Sequence, residues 1–430
     1  MCKRHVVIAL LSSTVLIWCP SAKAGRVYAE RQGAQWQLLV DGAPFYIKGA
    51  VGWAHFDVLQ RCGGNAVRCT ASQRQLDRAH ENGLRVMANL PVRGERSGMD
   101  WGDDEDVARQ MERVLDVVTA LKNHPALLLW VVGNELDWIP PGKPHHQQLW
   151  ARLNAIALRI KEIDRNHPVL TVVGTGRFEQ KIQQIAQACT AMDLLGINAY
   201  GDIAPVTRLT RQHWPKPYLV AEWEPTGHWQ VPKTPWRVPF EQTSTEKAQV
   251  IYERYTQTIL ADRAHCVGSF VFLWGQKQET THTWYGMFRD DRTTESVDVM
   301  QRLWTGSWPD HRAPAVLGLV IEGRGDEEAV YLEPRQTYRA RVLCYDVDYD
   351  PLRCVWDIRP EVEIPENSYA GGLEKPAARI PEMIKTAQGA QITFEAPPTP
   401  GPYRLFVEVL DGQAHAGYAN LPFYVGTPTR

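Results

Sequence analysis

The sequence predicts an α/β fold, a (β/α)8 TIM barrel, followed by a C-terminal all-β, Ig-like sandwich. Three observations predict it. Eight short apolar runs between residues 45 and 274 show little polar alternation, as strands buried on both faces do. Helical periodicity lies between most of them. After about residue 308 the texture changes to strand-like runs separated by Asp, Gly and Pro turns, with no clear helix.

In chain order, Lys3, Arg4 and His5 precede an apolar run over 6–18, and Ala22-Lys23-Ala24 follows. This is the pattern of a secretory signal peptide, too short to span a membrane comfortably. Cleavage after Ala24 and export to the periplasm or the extracellular space are expected. No later segment reads as transmembrane. The strand-like runs are FYIKGAV (45–51), NAVRC (65–69), LRVMAN (84–89), LLLWVV (127–132), PVLTVV (168–173), DLLGIN (193–198), PYLVAE (217–222) and GSFVFLW (268–274). Between them, Val107, Met111, Val114, Leu115, Val118 and Leu121 repeat at helical spacing. So do Leu149, Leu153, Ile156, Ile160 and Ile163, and then Ala248, Ile251, Tyr252, Tyr255 and Ile259. The first and sixth helices are weakly marked. Eight strands in a span of this size fit a closed barrel better than an open sheet. The expected division is 1–24 signal peptide, 25–308 barrel and 309–430 sandwich.

The chain of 430 residues has room for two domains, and 44% hydrophobic against 22% charged residues implies a packed core. A formal net charge of −2 without a basic tract argues against nucleic acid as the main partner. Sixteen Trp fit either an aromatic core or rings that stack on sugars. Of the six cysteines beyond residue 24, Cys344 and Cys354 flank a loop and are the best candidate disulfide pair. Cys62 and Cys69 are held apart by a strand, and bridges and free thiols remain equally open for the other four.

In such a barrel, reactive groups project from the C-terminal ends of the strands. Strand two ends near Arg68, strand four at Asn134-Glu135, strand six at Asn198 and Tyr200, strand seven at Glu222 and strand eight at Trp274. Cleavage of a glycosidic bond needs a proton for the leaving oxygen and a nucleophile or base at the anomeric carbon. Two carboxyl groups can fill both roles if their surroundings separate their pKa values. Strands four and seven face each other across the barrel, which suits that pairing.

These residues carry a resemblance. HPALLLWVVGNE (124–135) is similar to the fourth-strand signature of clan A glycoside hydrolases, in the style of glycoside hydrolase family 2. GAPFYIKGAV (42–51), GGNAVRCT (63–70), MDLLGINAYG (192–201) and PYLVAEW (217–223) resemble that family's first, second, sixth and seventh strands. Fungal-type β-1,3-glucanosyltransferases share a similar order of motifs. The resemblance implies that Glu135 is the acid/base and Glu222 the nucleophile. It implies that Asn134 binds the sugar hydroxyl beside the anomeric carbon, and that Arg68 and Tyr200 orient Glu222. Asn198 and Trp223 join the substrate-binding set, and Trp274 forms the floor of the subsite. Glu222 and Glu224 fall on the same side of an extended strand, and the family's Glu-aromatic pattern selects Glu222-Trp223. Family 2 enzymes normally carry β-sandwich domains before the barrel, where this chain offers a short segment.

Trp53, Trp101, Trp138, Trp223, Trp229, Trp284 and Tyr285 fall after strands and are candidates either for sugar stacking or for loop packing. His55, His228 and His282 also lie after strands, where a polar contact is the ordinary role. His145-His146 lacks neighbours at metal-ligand spacing, and no metal or cofactor is expected. Asp346, Asp348 and Asp350 alternate in a turn without the Gly and distal Glu of an EF-hand, so a solvated turn is expected. The function these readings imply is a secreted retaining β-glycosidase acting on a β-linked oligo- or polysaccharide by double displacement. The alternatives are a β-glucan transglycosylase on the same barrel and a non-catalytic carbohydrate-binding protein.

Overall fold

The computed structural model describes residues 25–138, 148–224, 226–325, 328–362 and 374–427. The signal-peptide segment 1–24 and the His145-His146 loop lie outside the described residues. Eight parallel strands close into a barrel in chain order. They are β1 (Ile47–Val51), β2 (Ala66–Thr70), β3 (Arg85–Asn89), β4 (Leu127–Asn134), β5 (Val169–Gly174), β6 (Leu194–Asn198), β7 (Tyr218–Trp223) and β8 (Cys266–Val271). β4 shows why its sequence is continuously apolar. Leu127 to Val132 are all at most 1% exposed, with Leu128, Leu129 and Val131 in the barrel interior and Leu127, Trp130 and Val132 against the helices. Each such side chain contributes about 1.5–3 kcal/mol by leaving water.

Helices α1 (Phe56–Arg61), α2 (Gln73–Glu81), α3 (Asp104–Leu121), α4 (Leu149–Ile163), α5 (Phe178–Ala188), α6 (Ile203–His213), α7 (Ser244–Arg254) and α8 (Glu295–Thr305) cover the outside. The two weakly marked helices are real. α1 has only 6 residues, too few for a repeat to register. α6 mixes threonines and arginines into its packed face, with Thr207 and Thr210 buried. α3 starts on the Asp103 side chain, which accepts from the Glu105 and Asp106 amides, and acids fill its first turn where the helix dipole favours them. α7 starts with a capping box between Thr243 and Glu246.

The segment before the barrel folds into a small antiparallel sheet of Val27–Gln32, Gln35–Val40 and Ala43–Pro44. The Val27 amide donates to the Asn166 carbonyl (2.7 Å) and the Trp36 amide to the Ala264 carbonyl (2.7 Å). Both acceptors precede barrel strands. Val27, Leu38 and Val40 join the interior cluster of the barrel. The sheet therefore plugs the N-terminal mouth and leaves the opposite mouth for chemistry.

Beyond β8, a hairpin of β9 (Lys277–Glu279) and β10 (Thr281–Tyr285) leads toward α8. The C-terminal region is a sandwich of two four-stranded sheets. One contains β11 (Ala315–Ile321), β13 (Thr337–Tyr345), β16 (Gln391–Glu395) and β15 (Ile384–Gln388) in spatial order. The other contains β12 (Val330–Leu332), β18 (Ala416–Val425), β17 (Gly401–Leu410) and β14 (Arg353–Pro360). Inward residues of both, among them Leu319, Val342, Phe394, Leu405, Val407, Leu421 and Phe423, form a second core. Cys344 on β13 and Cys354 on β14, the candidate disulfide pair, are free thiols that pack half-buried against this core. In the turn after β13, Asp346 Oδ1 accepts from the amides of Asp348 (2.8 Å) and Asp350 (3.2 Å), so the alternating acids shape their own turn. Asp346, Asp350 and Asp411 bring oxygens within 4.8 Å of one another, the single acidic cluster of metal-ligand geometry among the described residues.

Candidate active site

At the C-terminal mouth the strand-end residues converge. Arg68 on β2 is 2% exposed and organises the group. Its NH1 donates to Glu222 Oε1 (2.9 Å) and to the Ala221 carbonyl (3.1 Å), and its NH2 donates to Asn134 Oδ1 (2.7 Å). Asn198 at the end of β6 donates through Nδ2 to Glu135 Oε1 (2.8 Å) and Asn134 Oδ1 (3.1 Å). The Tyr200 hydroxyl donates to Glu222 Oε2 (3.2 Å). One chain of contacts thus links the two carboxylates through Asn198, Asn134 and Arg68.

The backbone at Glu135 explains the Gly-Asn-Glu ending of β4. Gly133 (φ 85°) and Glu135 (φ 50°) both take the left-handed conformation, which turns the chain off the strand. A non-glycine residue held there is strained, and such strain concentrates at functional positions. The Glu135 amide still donates to the Val172 carbonyl (2.8 Å), so the turn is anchored on β5. Gly174 at the end of β5 makes room for the carboxyl group. A Cβ there would stand 3.1 Å from Glu135 Oε1. That role could have been suspected from the glycine at a strand end, but not which side chain needed the space.

Opposing influences act on the Glu222 carboxyl. Burial pushes the Glu222 carboxyl up, and the charge of Glu135 adds to that push. Arg68 and the Tyr200 hydroxyl oppose it by stabilising the carboxylate. Burial and the neighbouring Glu222 hold the Tyr200 hydroxyl well above its ordinary range, so it stays a proton donor. Glu224, two residues past Glu222, is a different kind of acid. It is 2% exposed, lies outside the cleft, and accepts from the Gly286 amide (3.2 Å). Burial raises its carboxyl far above the usual range. Glu222 is thus the member of the pair that lines the cleft.

The cleft encloses about 630 Å³. Glu135, Asn198, Tyr200 and Glu222 lie in its wall, with Trp138, Phe272, His228, Trp229 and Tyr285. Tyr200, Trp229, Phe272 and Tyr285 form a set of edge-to-face rings at 5.7–6.3 Å between centroids. Ion pairs flank it, Lys181 with Asp137 (2.6 Å) and Lys277 with Glu279. His228 Nε2 lies 3.3 Å from Glu279. Lys181, Asp137, Lys277, Glu279 and Phe272 were not singled out by their sequence positions, because their roles come from loops whose course no periodicity reports.

Two expected positions are corrected. Trp274 is 1% exposed, packs in the helix-side core and donates Nε1 to the His55 carbonyl (3.0 Å). It is no floor to the cleft. β8 ends at Val271, and Phe272 is the residue that turns inward. Trp223 is fully buried and stacked on Tyr255 at 5.6 Å. Side chains alternate along a strand, so with Glu222 facing the cleft its neighbour must face the helices. Trp101 and Trp284 are likewise buried, Trp53 lies outside the cleft wall, His55 stacks on Phe288 and His282 packs on Phe406.

Residues 53–296, more than half of the sequence, match the family described as glycosyl hydrolases family 2, TIM barrel domain. The chain belongs to that family. The match spans all of the mouth residues above, from Arg68 to Tyr285. No curated protein matches the sequence. Among solved structures, Bacteroides uniformis β-glucuronidase 2, covalently bound to cyclophellitol-6-carboxylate aziridine, is similar at 13% identity and TM-score 0.50. The likeness covers 93% of this chain and 48% of that one. An FMN-binding β-glucuronidase from Facaelibacterium prausnitzii L2-6 is similar at 14% identity and TM-score 0.50, covering 94% of this chain and 60% of that one. This family 2 chain spans about half the length of the first and three fifths of the second, and the likeness at these identities is one of fold.

Proposed function

We propose that this family 2 protein is a retaining β-glycosidase that cleaves an O-glycosidic bond of a β-linked glycan by double displacement. Glu222 attacks the anomeric carbon as Glu135 protonates the leaving oxygen. Glu135 then takes a proton from the water that releases the sugar. Arg68 and Tyr200 favour the carboxylate form of Glu222 and aim it, and Asn134 would bind the hydroxyl beside the anomeric carbon. The two carboxyl groups supply both proton and nucleophile, so the chemistry requires no metal or cofactor. The observation that carries this reading is the shared cleft of Glu135 and Glu222. Each carboxylate is fixed by its own donors, and the Arg68–Asn134–Asn198 chain joins them. We further propose that the chain is exported after removal of residues 1–24, with 25–308 as the catalytic unit and 309–430 as an Ig-like sandwich. Among the described residues no helix is long and apolar enough to cross a membrane.

A panel of aryl β-glycosides and β-glycans with reducing-end readout tests the reading. The wild type should release sugar from at least one member, and Glu135→Gln should lose most of that activity. Products longer than the substrate would assign the chain to transglycosylation. Binding without any turnover across the panel would contradict the enzymatic reading.

A further inference from the structure

The hairpin β9–β10 touches both the cleft and the sandwich. Lys277, Glu279 and Tyr285 line the cleft. The same hairpin is held from the sandwich side, where Thr281 and Thr283 donate their hydroxyls to Glu241 Oε2 at 2.6 and 3.2 Å. Lys247 on α7 donates from Nζ to the carbonyls of Thr283 (2.8 Å) and Trp284 (2.9 Å), the two residues before Tyr285, and to Glu241 Oε1 (2.7 Å). The side chains of Lys247 and Glu241 are 3% and 0% exposed. A buried pair of this kind is stable only when its remaining lone pairs and protons are satisfied. The sandwich does this. Asn420 Nδ2 donates to Glu241 Oε2 (2.7 Å) and Thr283 Oγ1 (3.2 Å). The Tyr418 hydroxyl accepts from Lys247 (3.3 Å), and its ring lies 4.9 Å from Nζ. Arg404 holds Asn420 Oδ1 at 2.6 Å. A second clamp acts on the same hairpin, since Arg289 bridges the His282 carbonyl (2.6 Å) and Glu408 of β17.

We infer that the C-terminal sandwich is a working part of the cleft, with Asn420 and Tyr418 as positioning residues. Through the Glu241–Lys247 pair they set the strand that carries Tyr285, and Tyr285 sets Tyr200 and the wall against which a sugar is held. Thr283, on the hairpin itself, completes the device. The functional half of this inference rests on the proposed glycosidase reading, and the mechanical half does not.

Full-length Asn420→Leu, Tyr418→Phe and Thr283→Val, measured in two ways, test it. Backbone hydrogen exchange should rise over 281–286 by on the order of tenfold, with the amides of β4 unchanged, because only the hairpin is released. With the best aryl β-glycoside of the panel, KM should rise by roughly three- to tenfold with kcat within about twofold, the signature of lost binding that is uniform between ground and transition states. If Asn420→Leu does not fold, the two milder variants carry both measurements. Folded variants with unaltered exchange over 281–286, or with a lowered melting temperature but unaltered KM, would overturn the inference. If the wild type hydrolyses no glycoside, the glycosidase reading fails alone and the exchange pattern decides this one.

Discussion

At the scale of the residue, the proposed chemistry depends on how Glu222 and Glu135 are held. Burial raises the Glu222 pKa while Arg68 lowers it, and the proposed nucleophile acts as its carboxylate. Arg68→Ala removes the lowering influence. The acid limb of kcat/KM against pH should then move to higher pH, because Glu222 becomes protonated sooner as the pH falls. An unmoved limb would show that Arg68 does not act on the ionising group. Glu135→Gln keeps the size of the side chain and loses its proton, and should reduce turnover about 10²–10⁴-fold for substrates with poor leaving groups. Much of this was legible in the sequence. Asn134, Glu135, Asn198 and Glu222 stand at strand ends, and Arg68 and Tyr200 within two residues of one, where position predicts a shared rim. Trp223 and Trp274 do not face the cleft for two different reasons: Trp223 is one place past the inward Glu222 and so points the other way, and Trp274 lies beyond the end of β8, where strand alternation no longer applies.

At the scale of the element, the ends of β4, β5 and β8 decide the geometry. Gly174→Ala places a methyl against Glu135 Oε1. It should lower kcat by up to roughly tenfold with a small effect on melting temperature, since a shift of a few tenths of an ångström in Glu135 is a fraction of the ~1 Å displacement that can cost 10²-fold. Steady-state kinetics beside thermal unfolding checks it. The residues after β8 give a paired test. Trp274→Ala empties a core site and should cost about 3–5 kcal/mol of stability. Phe272→Ala faces the cleft and should raise KM with a smaller loss of stability. The reverse pattern would restore Trp274 as the cleft floor. The strands were readable because burial on both faces leaves an uninterrupted apolar run. The N-terminal plug, α1 and the hairpin β9–β10 were not, because short or half-exposed elements leave too few residues to show a period.

At the scale of the whole molecule, barrel and sandwich share buried polar contacts. The Tyr418 amide donates to Ser244 Oγ (2.9 Å), the Val316 amide to Thr245 Oγ1 (2.7 Å) and the Ala313 amide to Asp298 Oδ2 (2.7 Å), besides the Glu241–Lys247 network. Truncation near residue 308 would leave those groups and the apolar surface around them without partners. The truncated barrel should therefore be insoluble or unfolded, and calorimetry of the intact chain should show one cooperative transition. Two separate transitions would show that the domains fold independently. The change from alternating strands and helices to strands alone was visible in the sequence. The coupling between the two parts was not, because Lys247 and Asn420 lie 173 positions apart in sequence numbering and meet only through the fold.

The central claim is retention through Glu222. Proton NMR of the first sugar released from a β-glycoside, recorded before mutarotation, tests it most directly. The account predicts that the β-anomer appears first and that Glu222→Gln releases none. First appearance of the α-anomer, or undiminished release by Glu222→Gln, would contradict it.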